Sequence, residues 1–159
     1  MKADMTTSAT EPRPLAMLDI DGVLVLENPV VPVETHTVSA YRRWAREVRI
    51  PVGAAESVRE LARRFDIVWT TAWSHNAHIA LAPALGLPEE PWPFLAVQFN
   101  KLPAIRAYAG GRPWVWIDDS IHDLGEIPAP ADGLLVPVDG SRGITEIDPA
   151  ELLEKLSRL

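Results

Sequence analysis

Acidic and hydroxyl side chains directly follow three short apolar segments of the chain. They are Asp19, Asp21, Thr71, Asp118 and Asp119. Apolar runs closed by polar residues are typical of strands buried on both faces of a parallel sheet, whose carboxyl ends hold ligand sites. If these strands are sheet neighbours, four carboxylates meet there and raise one another's pKa unless a cation intervenes. A hard cation with oxygen ligands, Mg²⁺ above all, suits such a site.

One lysine accompanies these carboxylates in the predicted fold. Of the 15 basic residues, 12 are Arg and three are Lys, and Lys101 is the one lysine outside the terminal segments. It begins a predicted helix shortly after a weak apolar run at residues 95–97. An ammonium, a hydroxyl and a divalent cation together suit a phosphoryl group, whose transfer depends on positioning and charge stabilisation.

The elements that must position these residues alternate between strands and helices. Apolar runs predict strands at residues 15–18, 67–70, 114–117 and 134–136, with a weaker one at 95–97. Apolar periodicity and capping residues predict helices over about 52–65 and 75–85, from 101 to before 110, and from 149 onward. Such alternation indicates an α/β fold around a mostly parallel sheet.

The segment between the first two of these strands is ambiguous. Residues 37–50 fit either a helix or a β-hairpin, and the alternation of Val48, Ile50 and Val52 favours the hairpin. Only 48 residues separate Asp21 from Thr70, so one helix and a small projection fill the interval and no inserted cap domain fits. A run of arginines in this projection is either a solvated face or a flap that grips a second phosphate or a polynucleotide. The run consists of Arg42, Arg43, Arg46 and Arg49.

Length and composition limit the classes of protein. The 159 residues suit one domain, predicted over 15–159 after a flexible N-terminal tail at 1–14. The net charge of −7 disfavours general nucleic-acid binding, since affinity for phosphate backbones depends on Lys and Arg. The absence of cysteine excludes disulfides and thiolate metal sites. No apolar run approaches the roughly 18 residues of a membrane span, and no signal-peptide core is present, so we expect a cytoplasmic protein with no membrane contact.

The ordered motifs resemble those of a known superfamily. The run Leu18-Asp19-Ile20-Asp21-Gly22-Val23-Leu24 resembles the DxDG signature of the haloacid dehalogenase (HAD) superfamily. Thr71 resembles its second motif, Lys101 its third-motif lysine, and Ile117-Asp118-Asp119 its acidic fourth motif. The resemblance implies a HAD-type, Rossmann-like three-layer sandwich with a mostly parallel central sheet, a small flap and no large cap domain.

The resemblance also implies roles for individual residues in a Mg²⁺-dependent phosphatase. Asp19 would be the nucleophile that forms an aspartyl-phosphate, and Asp21 the general acid and then the general base. Thr71 and Lys101 would bind the phosphate. The implied metal ligands are Asp19, the backbone carbonyl of Asp21, Asp119 and, directly or through a neighbouring ligand, Asp118.

Several alternatives stay open at this point. Asp123 either joins the acidic group, four residues after Asp119, or lies on a surface helix, and Trp73 either stacks on a substrate ring or packs beneath the site. The expected substrate is a nucleotide or other small phosphorylated metabolite. A polynucleotide end, less favoured, and a phosphoprotein are alternatives for the same reaction, and a catalytically silent phosphate- or partner-binding module is the alternative of another class. A homo-oligomer partner is one way to cover a mouth without a cap.

Overall fold

The computed structural model describes residues 12–40 and 43–159 of the chain. The strands in this part are β1 (Leu15–Leu18), β2 (Val33–Ala40), β3 (Trp44–Pro51), β4 (Asp66–Thr70), β5 (Phe94–Leu95), β6 (Trp114–Asp118) and β7 (Gly133–Pro137). Five of them form a sheet in the order β5-β4-β1-β6-β7, and each neighbouring pair is parallel. This order confirms the predicted parallel sheet and makes β4 and β6 the two neighbours of β1.

The helices in the described residues follow the predicted positions closely. They are α1 (Ala54–Arg64), α2 (Asn76–Leu85), α3 (Lys101–Ala109) and α4 (Pro149–Ser157), with short 3-10 helices at Asp119–Leu124 and Ile144–Glu146. α4 begins as its sequence predicts, because the Asp148 carboxylate accepts hydrogen bonds from the backbone N–H groups of Ala150 and Glu151. Pro149 occupies the first turn, where a missing N–H costs no hydrogen bond.

Alternate residues of the central strand divide the core between the two faces of the sheet. Ala16 and Leu18 pack in a buried cluster with apolar residues of α1, α2 and α4. Leu15 and Met17 pack in a second buried cluster with apolar residues of α3. Successive side chains of a strand point to opposite faces, so a strand that is apolar throughout requires a layer on each side. The result is a three-layer, Rossmann-like α/β sandwich.

The ambiguous segment forms a β-hairpin, as the alternation of Val48 and Ile50 favours. β2 and β3 pair antiparallel over eight residues each, from Val33 opposite Pro51 to Ala40 opposite Trp44. Buried side chains on one face of the hairpin join the main core; they are Val38, Ala40, Val48 and Ile50. This hairpin is the small flap that the sequence predicts, and the fold has no large cap.

The predicted flexible tail mostly lies outside the described residues, which begin at residue 12. The Arg13 guanidinium donates to the backbone carbonyls of Ala62 and Phe65, at 2.6 and 3.1 Å. The Pro14 carbonyl accepts a hydrogen bond from the backbone N–H of Asp66. Arg13 and Pro14 therefore belong to the packed domain rather than to a tail. None of the helices in the described ranges is long and apolar enough to cross a membrane.

A close packing contact between β6 and β7 generates a stability prediction. Gly133 lies opposite Trp114, and a Cβ at Gly133 would stand 2.1 Å from Cε2 of the buried indole. We expect Gly133→Ala to lower the free energy of unfolding by about 1–3 kcal/mol, because a well-packed core resists added volume. Urea unfolding measures this loss. In a Trp114→Leu background the same substitution should cost less, and an equal cost in both backgrounds would contradict the proposed contact.

Candidate active site

The carboxyl ends of β1, β4 and β6 bring three of the predicted site residues together. Asp19 directly follows β1, Thr71 directly follows β4, and Asp118 ends β6. Since β1 lies between β4 and β6, these residues meet although about fifty positions separate each from the next in the chain. All three are buried. The site lies where ligands bind in parallel α/β sheets.

Lys101 places its ammonium between two buried aspartates. Its Nζ lies 2.6 Å from Asp118 Oδ2 and 3.3 Å from Asp19 Oδ1, and it donates to the Thr70 carbonyl at 3.1 Å. Only 8% of the lysine is exposed. A buried ammonium is costly unless it is paired and hydrogen-bonded, and here two carboxylates and a carbonyl meet that requirement. Lys101 therefore ties the start of α3 to the ends of β1, β4 and β6.

The Asp118 carboxylate is engaged on both oxygens. Oδ2 accepts hydrogen bonds from Lys101 and from the Trp116 indole N–H, the latter at 3.1 Å, and Oδ1 accepts from the Ser120 backbone N–H at 2.8 Å. Burial works to raise the pKa of Asp118, but the Lys101 charge and the hydrogen bonds from Lys101 and Ser120 together hold that pKa below its usual value. Asp118 is thus an ionised partner that orients Lys101.

Two neighbouring carboxyl groups, those of Asp19 and Asp119, have raised pKa values. Burial, with the Asp118 charge adding to it, raises the pKa of Asp19 to about 8 in spite of Lys101. Burial and the same Asp118 charge raise the pKa of Asp119 to about 6. The site therefore holds more carboxyl groups than its one ammonium can keep ionised.

Asp119 lies in a space that two glycines leave open. A Cβ on Gly22 would stand 2.2 Å from Asp119 Oδ2, and a Cβ on Gly140 would stand 2.9 Å from the same atom. Gly22 also has a φ of +82°, which side-chain-bearing residues rarely adopt. The glycine of the DxDG run is therefore required both by its backbone conformation and by the carboxylate packed against it.

The donor set fits a hard divalent cation. One carboxylate oxygen each of Asp19, Asp118 and Asp119 can be chosen so that all lie within 4.8 Å of one another. Three carboxylates beside one ammonium carry two excess negative charges when ionised, and a divalent cation would balance them. Carboxylate oxygens in a partly open cavity are ligands that Mg²⁺ accepts while it keeps water or phosphate oxygens in its remaining positions.

Asp21 lines the same cavity but is exposed. Its Oδ2 accepts a hydrogen bond of 3.0 Å from the indole N–H of the half-buried Trp73. Its carboxylate is therefore not in the buried metal-type cluster, and Trp73 fixes its direction. The Asp21 backbone carbonyl as a metal ligand stays a prediction.

Adjacent threonines at the end of β4 differ in their surroundings. The Thr70 hydroxyl donates to the Val68 carbonyl at 3.0 Å. The Thr71 hydroxyl oxygen accepts from the Trp73 backbone N–H at 3.2 Å and lines the cavity. A hydroxyl that accepts one hydrogen bond still has its own proton to donate, so Thr71 is able to hydrogen-bond an anion.

Some predicted candidates lie elsewhere. Asp123 is exposed and does not line the cavity. The segment from Asp119 is a 3-10 helix, in which residues four apart are turned by about 120° from each other. Asp119 and Asp123 would lie on one face of an α-helix, but they do not share a face of this 3-10 helix. Arg43 lines a separate opening beside Trp44, and Arg42 lies outside the described residues.

The cavity also includes residues that the sequence analysis did not select. It has a volume of about 760 Å³ and extends from the strand ends to the flap. The additional lining residues include Glu27, Asn28, Gln98, Gly140 and Ser141. The run Asp139-Gly140-Ser141 after β7 is typical of a turn, which indicates a loop at Gly140 and Ser141. Nothing in its composition indicates that this loop contacts Asp119.

The raised pKa of Asp19 generates a prediction for metal-free protein. The folded chain keeps a proton on Asp19 up to about pH 8, whereas the unfolded chain releases it near 3.8. The folded state therefore loses stability as the pH rises between these values. Asp19→Asn removes this loss, so at pH 8 we expect its midpoint of thermal unfolding to exceed that of the wild type by about 3 °C or more. With chelator present, the difference in unfolding midpoint between the two proteins should shrink as the pH falls toward 5. Midpoints that change in parallel with pH for both proteins would contradict the prediction.

Comparison with known protein families supports the resemblance. The family model for the HAD domain in Swiss Army Knife RNA repair proteins matches residues 15–148, which is most of the chain and includes every strand and the site. No curated protein and no solved structure gives a significant match. The DxDG run, the buried lysine and the acidic end of β6 lie within the matched region at the positions described above. The chain therefore belongs to the family of HAD domains found in Swiss Army Knife RNA repair proteins.

Proposed function

We propose that this protein is a Mg²⁺-dependent phosphomonoester hydrolase that works through an aspartyl-phosphate on Asp19. The observation that carries this proposal is the buried Lys101 ammonium between Asp19 and Asp118, with Asp119 and the Thr71 hydroxyl beside the same cavity. The presence of all these residues also argues against a catalytically silent module, because buried carboxylates of like charge destabilise the fold and tend to be found at functional sites.

The phosphate would be held by charge and hydrogen bonds. Lys101 supplies a positive charge next to the nucleophile, and the Thr71 hydroxyl donates to a phosphate oxygen. Asp19 and Asp119 would hold Mg²⁺, while Asp118, whose oxygens are already engaged, orients Lys101. Bound Mg²⁺ supplies positive charge that offsets the repulsion between the phosphate and the carboxylates.

In the first step, an Asp19 carboxylate oxygen attacks phosphorus and the bond from phosphorus to the substrate's ester oxygen breaks. Asp21 gives its proton to that oxygen, so the leaving group departs as an alcohol. In the second step, Asp21 takes a proton from a water molecule, whose oxygen attacks phosphorus. The bond between phosphorus and Asp19 then breaks, which releases inorganic phosphate and restores both carboxyl groups.

The family description favours an RNA end over a free metabolite as the substrate. The matching family model is described as a HAD domain in Swiss Army Knife RNA repair proteins, so a phosphate at an RNA end fits both that description and the proposed reaction. In the part of the chain that the structure describes, the small flap borders the cavity and no large cap domain covers it, so a phosphate at the end of a long chain is able to enter. The small-metabolite expectation remains the second candidate, and a panel that contains nucleotides, sugar phosphates and end-phosphorylated oligonucleotides distinguishes the two.

The nucleophile has a direct test. We expect hydrolysis of p-nitrophenyl phosphate to require Mg²⁺, to stop with chelator, and to fall by about a thousandfold or more in Asp19→Asn. Asp123→Asn is the matched control, since it makes the same chemical change on an exposed side chain outside the cavity. Activity without divalent cation, or activity that survives Asp19→Asn, would overturn the proposal.

The general acid has a separate test that depends on the leaving group. In Asp21→Asn we expect the first step to slow by about a hundredfold for a sugar phosphate, whose alcohol needs a proton, and by less than about tenfold for p-nitrophenyl phosphate. Rapid-mixing measurements of the first turnover isolate this step from the hydrolysis of the intermediate. Equal losses for the two substrates would contradict the role of Asp21.

A further inference from the structure

An arginine occupies a place on the flap where its neighbours are apolar. Trp44, Arg46, Val48 and Ile50 alternate along β3 and therefore share one face. Val48 and Ile50 are buried in the core, and Val38, directly opposite Arg46 on β2, is buried as well. Arg46 itself is exposed. Arg46 is thus an exposed charged residue on a flap face where the other residues of β3 are apolar.

Arg46 and two tryptophans form one cluster of contacting side chains. The guanidinium carbon of Arg46 lies 4.9 Å from the centre of the Trp73 ring. Trp44 meets Trp73 edge to face, with ring centres 6.0 Å apart and planes at 82°. Both tryptophans are half-buried. Both tryptophans pack on one side against the main buried cluster, and the part of each ring that stays exposed is available to a ligand.

A side cavity lies against this cluster of Trp44, Arg46 and Trp73. It has a volume of about 250 Å³ and is lined by Trp44, Arg46, Ala72, Trp73 and Asn76. It shares Arg46 and Ala72 with the catalytic cavity, so the two adjoin. A molecule whose phosphate lies at Lys101 is therefore able to extend into the side cavity past these residues.

The side cavity lies on the side of the departing group. Trp73 donates its indole N–H to Asp21 at 3.0 Å. Under the proposed function, on which this step rests, Asp21 protonates the leaving oxygen. The remainder of the leaving group must then begin next to Asp21, and hence next to Trp73.

We propose that Trp44, Arg46 and Trp73 form a subsite for the base of the nucleotide that carries the phosphate. Indole rings and a guanidinium offer flat surfaces on which the π-face of a nucleobase stacks, whereas an aliphatic phosphate has no such face. Asn76 lines the same cavity, and a side-chain amide carries both a donor and an acceptor for the edge of a base. The net charge of −7 disfavours tight contact along a nucleic-acid backbone, so recognition is limited to the terminal base and its phosphate.

The test compares binding with and without the terminal base. The Asp19→Asn protein, full chain, is titrated with a phosphate-terminated dinucleotide and with its analogue that lacks the terminal base, and Kd is measured by fluorescence anisotropy. The pair is prepared with a 3′ and with a 5′ phosphate, and the tighter-binding end is used. We expect the base to strengthen binding by roughly tenfold or more. Equal affinities for the two ligands would overturn the subsite.

Variants in the same background assign the preference to residues. Trp73→Leu and Arg46→Gln should each reduce the preference for the base by about fivefold, whereas Trp73→Phe, which keeps a ring but loses the N–H, should retain most of it. Arg59→Gln is the control, because Arg59 is exposed on α1 and lines neither cavity. A preference that survives both Trp73→Leu and Arg46→Gln would overturn the assignment. Failure of the proposed function appears separately, as wild-type protein without Mg²⁺-dependent hydrolysis of p-nitrophenyl phosphate.

Discussion

The buried ammonium of Lys101 is the interaction on which the rest of the site depends. It lies between Asp19 and Asp118 and donates to the backbone at the end of β4, so one charge joins three neighbouring strands and the start of α3. Without it, two buried carboxylates would face each other with no compensating charge, which is strongly destabilising. The same charge lies beside the proposed nucleophile, so the group that makes the site stable also prepares it for an anionic substrate.

The carboxyl groups around this lysine divide into different roles by their environments. The Lys101 charge and direct hydrogen bonds keep Asp118 ionised, while burial raises the pKa of Asp19 and of Asp119. Asp21 is exposed, accepts a hydrogen bond from Trp73 and lies outside the buried cluster of carboxylates. Under the proposed reaction, Asp118 would orient Lys101, Asp19 would be the nucleophile, Asp119 would bind the metal and Asp21 would carry the proton.

The fold and the four motif positions were predictable to a large degree from the chain. The continuous apolar runs at β1, β4 and β6 have few alternatives to buried parallel strands, and the polar residues after them mark the ligand-binding edge. The scarcity of lysine made Lys101 conspicuous. Asp123 shows the limit, since a four-residue spacing places two side chains together on an α-helix but not on the 3-10 helix that forms here. The contact of Gly140 with Asp119 had no signal, because it joins a loop after β7 to the end of β6.

The local sequence pattern by itself determined which residues form strands and helices, because periodicity and capping act over a few residues. The positions of the carboxylates, the threonine and the lysine at the ends of these elements also followed from that pattern. Only the tertiary structure decided which carboxylate pairs with Lys101, that Gly22 and Gly140 leave room for Asp119, and that Arg46 and Trp44 on the flap meet Trp73 beside Asp21. These contacts join segments far apart in the chain. They depend on strand order and packing distances, which short-range sequence patterns do not encode.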